Sequence, residues 1–276
     1  MGNLLSVKDL SVGFQQNKQV VSVVKEVCLE ISENEITGLV GDSGSGKTIT
    51  TLAVTRILPP NARITSGEAI FEGSDLLKMQ EEQLRAVRGR KIAYIFQEPT
   101  MFLNPIRTCG SQIAEAVTAQ QSIDKISAQR KAIELLGQVS IPSPEIAYFN
   151  YPHQLSGGMN QRVMIAQALA LNPRLLIADE PTTNLDVDTG REILELILSL
   201  QKEIGFSCLF ITHNLGLVKR LCQRVYVMYK GQIVEEGDLD RIFTAPRHEH
   251  TKALMRAYLR LGDTLPIGSK GVPRLG

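Results

Sequence analysis

Three short strings in the chain carry residue types and spacings able to do phosphate chemistry. Gly41-Asp42-Ser43-Gly44-Ser45-Gly46-Lys47-Thr48 fits the pattern G-x-x-x-x-G-K-[ST]. Its glycines let the backbone curl until successive N–H groups point inward, and a helix opening at Lys47 adds its positive end, which together suit a polyphosphate. Lys47 then reaches the β and γ phosphates and Thr48 ligates magnesium, while Asp42, Ser43 and Ser45 complete the loop around the nucleotide. Leu175-Leu176-Ile177-Ala178-Asp179-Glu180 is an apolar run ending in two carboxylates, as expected where the carboxyl edge of a sheet faces a ligand. Asp179 suits the magnesium shell. Glu180 points elsewhere and is placed to polarise a water for attack on a γ phosphate. In Leu155-Ser156-Gly157-Gly158-Met159-Asn160-Gln161-Arg162, Ser156 with the Gly157 and Gly158 amides crowns a helix running through Ala170 and makes a second anion site.

These strings need a scaffold, and the flanking sequence supplies one. Leu4 to Phe14 and Val20 to Ile31 are rich in Val, Leu and Ile with partial alternation, which predicts a sheet at the N-terminus. Glu35 to Val40 reads as a strand entering the glycine-rich loop, and Lys47 to Leu58 as a helix stopped by Pro59-Pro60. Short apolar runs at Lys91 to Phe96, Leu175 to Ala178 and Leu209 to Thr212 alternate with helical patterns such as Arg191 to Lys202. That order predicts an α/β fold with a largely parallel sheet and crossover helices. From about Gln97 to Arg162 strand signals vanish, while Ser111 to Ala119 and Ser127 to Gly137 look helical, so an all-helical insertion is expected. Beyond about Asp240 the chain is basic, and Pro266 to Gly276 is rich in Gly and Pro and expected to be poorly ordered.

Bulk properties narrow the class. With 30 Lys plus Arg against 29 Asp plus Glu, the formal charge of +1 supplies no global field for nucleic acid or anionic lipid, so no nucleic-acid partner is expected. The four cysteines, Cys28, Cys109, Cys208 and Cys222, show no metal-ligand spacing and read as reduced thiols. No run of about 18 apolar residues occurs, and the first ten residues lack a secretory pattern. Membrane association is therefore expected to come through protein partners.

The string Leu155 to Arg162 resembles the signature motif of the ABC ATPase family, and the rest of that family's pattern follows in order over about residues 4 to 260. The resemblance implies a phosphate-loop (RecA-like) core with an N-terminal antiparallel sheet and an inserted all-helical subdomain. Residues 1–96 and 163–240 would form the ATP-binding core, 97–162 the helical signature subdomain and 241–276 a C-terminal extension. Gln97, in Ile95-Phe96-Gln97-Glu98-Pro99, corresponds to the family's Q-loop glutamine, which touches magnesium and links hydrolysis to the membrane subunit. His213, in Phe210-Ile211-Thr212-His213, corresponds to the switch histidine that contacts the γ phosphate and organises the water. Phe14 fits the aromatic that stacks on adenine and is carried over in that role, although a strand phenylalanine is commonly core. Asp186 is carried over as a nucleotide-contacting residue from Asn184-Leu185-Asp186, where the family usually has Ala-Leu-Asp, and Asn214 follows His213 where Asp is common. Neither departure removes a catalytic group. ATP and Mg2+ are the implied cofactors. In the family the signature site contacts a γ phosphate held by the other subunit, so the chain carries two half-sites and needs a second copy or a paralogue.

Two segments resemble the dipeptide, oligopeptide and nickel importers within that family: Gln97 to Pro105, and Ala245-Pro246-Arg247-His248-Glu249-His250-Thr251-Lys252-Ala253-Leu254. The resemblance implies a peripheral subunit on the cytoplasmic face of the cell membrane. Its partners would be a second ATPase chain, two integral membrane permease subunits and an extracytoplasmic substrate-binding protein, with peptides or nickel and metal chelates as cargo. No cysteine follows Cys222, whereas peptide members often carry a cysteine-rich tail, and this tilts the expectation towards nickel or metal chelates. The pair His248-x-His250 offers too few ligands for a metal and reads as a solvated turn. The rivals are a soluble ABC ATPase acting on ribosomes or DNA, an ABC exporter ATPase, and a phosphate-loop kinase. The first usually fuses two halves or adds coiled coils and basic arms, the second is commonly fused to its membrane domain, and the third lacks the signature string.

Overall fold

A computed structural model describes residues 2–16, 19–119 and 123–264. In chain order the elements are β1 (Asn3–Gln16), β2 (Gln19–Ser32), β3 (Ile36–Val40), α1 (Lys47–Val54), β4 (Ala62–Phe71), β5 (Ser74–Asp75), α2 (Glu81–Val87) and β6 (Ile92–Ile95). There follow α3 (Pro99–Phe102), α4 (Cys109–Thr118), α5 (Lys125–Gln138), α6 (Pro144–Ala147) and α7 (Gly157–Leu169). The chain then returns to β7 (Leu175–Asp179), α8 (Val187–Ile204), β8 (Ser207–Thr212), α9 (Leu215–Leu221), β9 (Arg224–Tyr229) and β10 (Gln232–Asp238), and closes with α10 (Leu239–Thr244) and α11 (Glu249–Thr264).

Two sheets form. The first, ordered β2-β1-β4-β5, is antiparallel throughout, and the second has the order β10-β9-β3-β8-β7-β6. Within the second, β9, β3, β8, β7 and β6 run parallel and β10 pairs antiparallel at the edge. Strands β3, β7 and β8 are buried along their whole length, as a parallel sheet covered on both faces requires. Side-chain alternation divides them between two cores. Leu39, Ile177, Leu209 and Ile211 face the antiparallel sheet. Val40, Ala178, Cys208 and Phe210 face a second core that also holds Val163 of α7, Ile193 of α8 and Val218 of α9.

The α/β class, the opening sheet and the strands around the catalytic strings agree with expectation; β4, β9 and β10 carried no clear sequence signal. Helix α1 is shorter than the predicted 47–58, and the proline pair does not end it. Arg56 adopts a left-handed φ of 56°, with Arg56 N–H donating to Ala53 and Ile57 N–H to Leu52, both at 3.0 Å. This pairing is a Schellman stop built without glycine, so the sequence gives no warning of it. Among the described residues from 97 to 162 there is no strand, and α7 runs on past 162 to Leu169. The basic segment beyond Asp240 folds into the end of α10 and α11, while Pro266 to Gly276 lies outside the described residues.

Candidate active site

Strand register assembles the site. Val40, the last residue of β3, lies opposite Thr212 of β8, and Ile211 lies opposite Asp179 of β7. Ala178 in turn lies opposite Ile95 of β6. The segments leaving these four strands, which begin at Gly41, His213, Glu180 and Phe96, therefore emerge side by side at one carboxyl edge. They line a cavity of about 620 Å³ with Asp42, Ser43, Gly44, Gly46, Lys47, Thr48, Gln97, Asp179, Glu180, Thr183 and His213 among its walls.

The glycine-rich loop is shaped by close approach. A Cβ on Gly41 would stand 2.1 Å from the Met228 carbonyl oxygen of β9, and Gly46 at the start of α1 has a left-handed φ of 108°. Neither position accepts another residue without moving backbone. The loop's curl leaves the Gly41 and Asp42 carbonyls accepting from Lys47 Nζ, each at 2.9 Å. Burial pulls the Lys47 ammonium below its ordinary value, while the nearby Glu180, Asp179 and Asp42 carboxylates work the other way. A buried cation beside an open cavity suits an incoming polyanion.

Thr48 Oγ1 donates to Asp179 Oδ2 at 2.6 Å. Burial, reinforced by Glu180, raises the Asp179 carboxyl, and the Thr48 hydroxyl and Lys47 only partly offset it. A hydroxyl and a carboxylate side by side, with the Gln97 amide on the same cavity wall, form a hard oxygen set that fits Mg2+ better than a softer metal. Glu180, next in sequence, has a left-handed φ of 45°, a conformation costing about 1–2 kcal/mol for a residue with a side chain. Its amide still donates to Ile211 at 2.9 Å, so β8 holds the strained residue in place. The turn aims Glu180 away from Asp179. Its Oε1 lies 2.8 Å from His213 Nδ1, and its Oε2 accepts from Thr183 Oγ1 at 2.9 Å and from Gln97 Nε2 at 3.5 Å. Burial works to raise this carboxyl, and the His213 and Thr183 contacts with the Lys47 charge outweigh it, leaving it below the usual range. An ionised carboxylate is thereby kept ready to accept a proton.

The remaining expected residues lie elsewhere. Ser156 caps α7 by accepting from Met159 N–H at 3.2 Å, and Asp186 caps α8 by accepting from Thr189 N–H at 2.9 Å. These two caps adjoin each other, because Gly157 lies against Leu185 and a Cβ on Gly158 would stand 2.5 Å from Thr189 Cγ2. Ser156, Gly157, Gly158 and Asp186 are absent from the cavity wall. Phe14 is absent too: it is half-buried on β1 opposite Val21 and Ala62, outside both cores. Val23 of β2 lines the cavity instead, as do Ile49 and Thr183, none of which the sequence singled out. Asn184 Nδ2 donates to Glu98 Oε1 at 3.4 Å, so this departure from the family pattern joins the 184–186 segment to the one holding Gln97. The solvated turn expected at His248 and His250 is corrected: His250 is largely buried, because its ring packs on Tyr229.

A parallel-sheet edge furnished in this way is that of a phosphate-loop nucleotide-binding protein. Residues 24–183 match the ABC transporter family. Over 255 residues the chain is 47% identical to the probable peptide ABC transporter ATP-binding protein y4tR of Sinorhizobium fredii, covering 92% of this chain and 76% of that one. It is 45% identical to the dipeptide transport ATP-binding protein DppD of Escherichia coli, covering 92% and 78% of the two chains. Against the peptidoglycan transport ATP-binding protein YejF of Agrobacterium fabrum identity is 49%, over 92% of this chain but only 47% of that longer one. Among solved structures, the dimeric ATP-binding cassette MJ0796 in a post-hydrolysis state with ADP and Pi superposes with a TM-score of 0.76 at 26% identity, over 85% of this chain and 98% of that one. The chain belongs to the ABC transporter family and is one of its ATP-hydrolysing subunits.

Proposed function

We propose that this subunit powers the uptake of peptides, working as one of a pair of ATPase chains beneath membrane permeases. The observation that carries the chemistry is Glu180 held between His213, Thr183 and Gln97 on the wall that also bears Lys47. In this reading Lys47 and the amides of residues 41 to 48 take the β and γ phosphates. Thr48, Asp179 and Gln97 hold Mg2+, which when bound neutralises phosphate charge. Glu180 orients a water and accepts its proton as the oxygen attacks the γ phosphorus and the bond to the bridging oxygen breaks, releasing ADP and phosphate. His213 keeps the Glu180 carboxylate aimed and charged.

Ser156 and Asp186 cap α7 and α8, Gly157 and Gly158 open α7, and none of the four lines this cavity; we assign them to the γ phosphate bound by the opposing ATPase chain. Such a sandwich needs two chains for two sites, identical or paralogous. A separate apolar groove of about 400 Å³ lies behind Gln97, lined by Tyr94, Phe96, Phe102, Leu103, Met164 and Ala168 among others. The Phe96 ring stacks on Phe102 at 3.9 Å, with Met101 and Ile106 exposed nearby. We assign this groove to a permease segment, so that its movement reaches Gln97 through Phe96. Among the described residues no helix is long and apolar enough to cross a membrane, in keeping with a subunit held at the cytoplasmic face by its permeases.

Two of the named relatives, y4tR and DppD, carry peptide or dipeptide transport in their names, which favours peptide cargo over the nickel or metal chelates that the lack of late cysteines pointed to. An extracytoplasmic binding protein would deliver that cargo. The test is ATP hydrolysis by the assembled transporter in liposomes, with its binding protein loaded in turn with dipeptides, longer peptides, nickel and nickel chelates. Stimulation by peptides is expected; stimulation by nickel species alone overturns the cargo assignment.

A further inference from the structure

The phosphate loop has a neighbour outside the cavity, and it comes from the far end of the chain. Arg247 and His248 donate their N–H groups to the Glu235 carboxylate of β10 at 2.7 and 2.9 Å, and Glu235 is buried. His250 N–H donates to His248 Nδ1 at 3.1 Å. Clamped in this way, the His250 ring lies on Tyr229 with centroids 4.0 Å apart and planes 24° from parallel. Its Nε2 faces the phosphate loop, 3.6 Å from Asp42 Oδ2. That nitrogen is buried and has no hydrogen-bond partner among the described residues.

The two partners are unequally free. The His250 side chain is 12% exposed and the Asp42 side chain 58% exposed, so the imidazole is the more confined member and the carboxylate the one with room to move. The arm bearing His250 is fixed further along as well. Tyr258 of α11 packs edge-on against Phe243, centroids 5.8 Å apart, and lies beside Gly216 on α9, the helix that follows His213. Asp42 is also the residue whose carbonyl accepts from Lys47 Nζ. Its carboxylate is a negative charge in a loop shaped for a polyanion, where its position changes the field the anion meets.

We propose that His250 is a positioning residue for the phosphate loop: by drawing the Asp42 carboxylate aside it sets the affinity for ATP without taking part in the chemistry at Glu180. This rests on the reading of residues 41 to 48 as the phosphate loop. It gives the segment after the last strand a task that the signature, the loop and the switch histidine do not explain.

The test is MgATP affinity by titration of the full chain, with KM and kcat for hydrolysis measured in the assembled transporter. His250→Phe keeps the ring on Tyr229 and removes the nitrogen, and it should raise Kd and KM about fivefold, the scale of a single hydrogen bond, with kcat unchanged. His250→Gln, which keeps a donor, should stay near the wild type. In an Asp42→Asn background His250→Phe should have no further effect. A fall in kcat with KM unchanged, additive effects in the double variant, or no effect of His250→Phe would each overturn the proposal. If His250→Phe does not fold, as judged by thermal unfolding, His250→Asn, too short to reach Asp42, takes its place. Lys47→Ala serves as the control on the loop itself: loss of binding there with His250 variants silent rejects only the His250 role, whereas unchanged binding in Lys47→Ala rejects the loop assignment.

Discussion

His213 Nδ1 lies 2.8 Å from Glu180 Oε1, and the two side chains differ sharply in exposure, 65% for the imidazole and 14% for the carboxylate. The less exposed member has the strained backbone and the lowered pKa, whereas the exposed member stands where a second chain or a substrate can reach it. An exposed imidazole is thus coupled to a less exposed carboxylate on the same cavity wall. His213→Ala should cut turnover by about a hundredfold, the usual scale for losing one preorganised polar contact, with ATP affinity nearly unchanged. Steady-state hydrolysis beside nucleotide titration separates the two effects.

Lys47→Ala should act at the opposite step. The ammonium is buried between the Gly41 and Asp42 carbonyls, and its removal leaves those carbonyls facing the phosphates with no cation between them. Nucleotide titration should show affinity lost by about tenfold or more, consistent with the loss of a charge-assisted contact.

Thr48→Val keeps the shape of the side chain and deletes the hydroxyl that donates to Asp179. Hydrolysis by this variant should need a higher Mg2+ concentration, and chelation with EDTA should stop hydrolysis by the wild type. A magnesium titration that superimposes on the wild-type curve would remove Thr48 from the metal site.

Ser156→Ala and Gly158→Ala alter the signature cap and not the cavity wall. Binding of ATP by a single chain should therefore survive in both, and hydrolysis by the assembled pair should fall. Reduced binding by the isolated chain would place the signature residues in its own cavity.

Gly110→Ala probes the helical region. A Cβ there would stand 2.0 Å from the Tyr148 ring, and Tyr148 is packed against the buried core. Overpacking of this kind costs about 1–3 kcal/mol, so the thermal midpoint should drop while the nucleotide affinity of the folded protein stays the same.

The sequence was most legible where chemistry and local pattern coincide. Gly41 to Thr48 follows a buried strand and opens a helix, and parallel register then places Asp179, Glu180, His213 and Gln97 beside it, so residues far apart in sequence reach one cavity wall. Long-range packing was illegible. Arg56 stops α1 in a conformation that glycine would have announced, and Val23 lines the cavity because of how β2 lies against the loop, which no local pattern encodes. His250 looked like part of a solvated turn because its partners Tyr229, Glu235 and Asp42 come from three separate stretches of chain and meet only in the fold.

The central claim is that Glu180 takes the proton of the attacking water, and Glu180→Gln tests it most directly, since the amide keeps the size of the side chain and loses the base. Hydrolysis by the assembled transporter should fall by about a hundredfold to ten-thousandfold, the range for a general base, while ATP remains bound with affinity at least equal to that of the wild type. Turnover close to the wild-type rate with ATP bound normally would contradict the assignment and move the search for the base to another residue on the same wall.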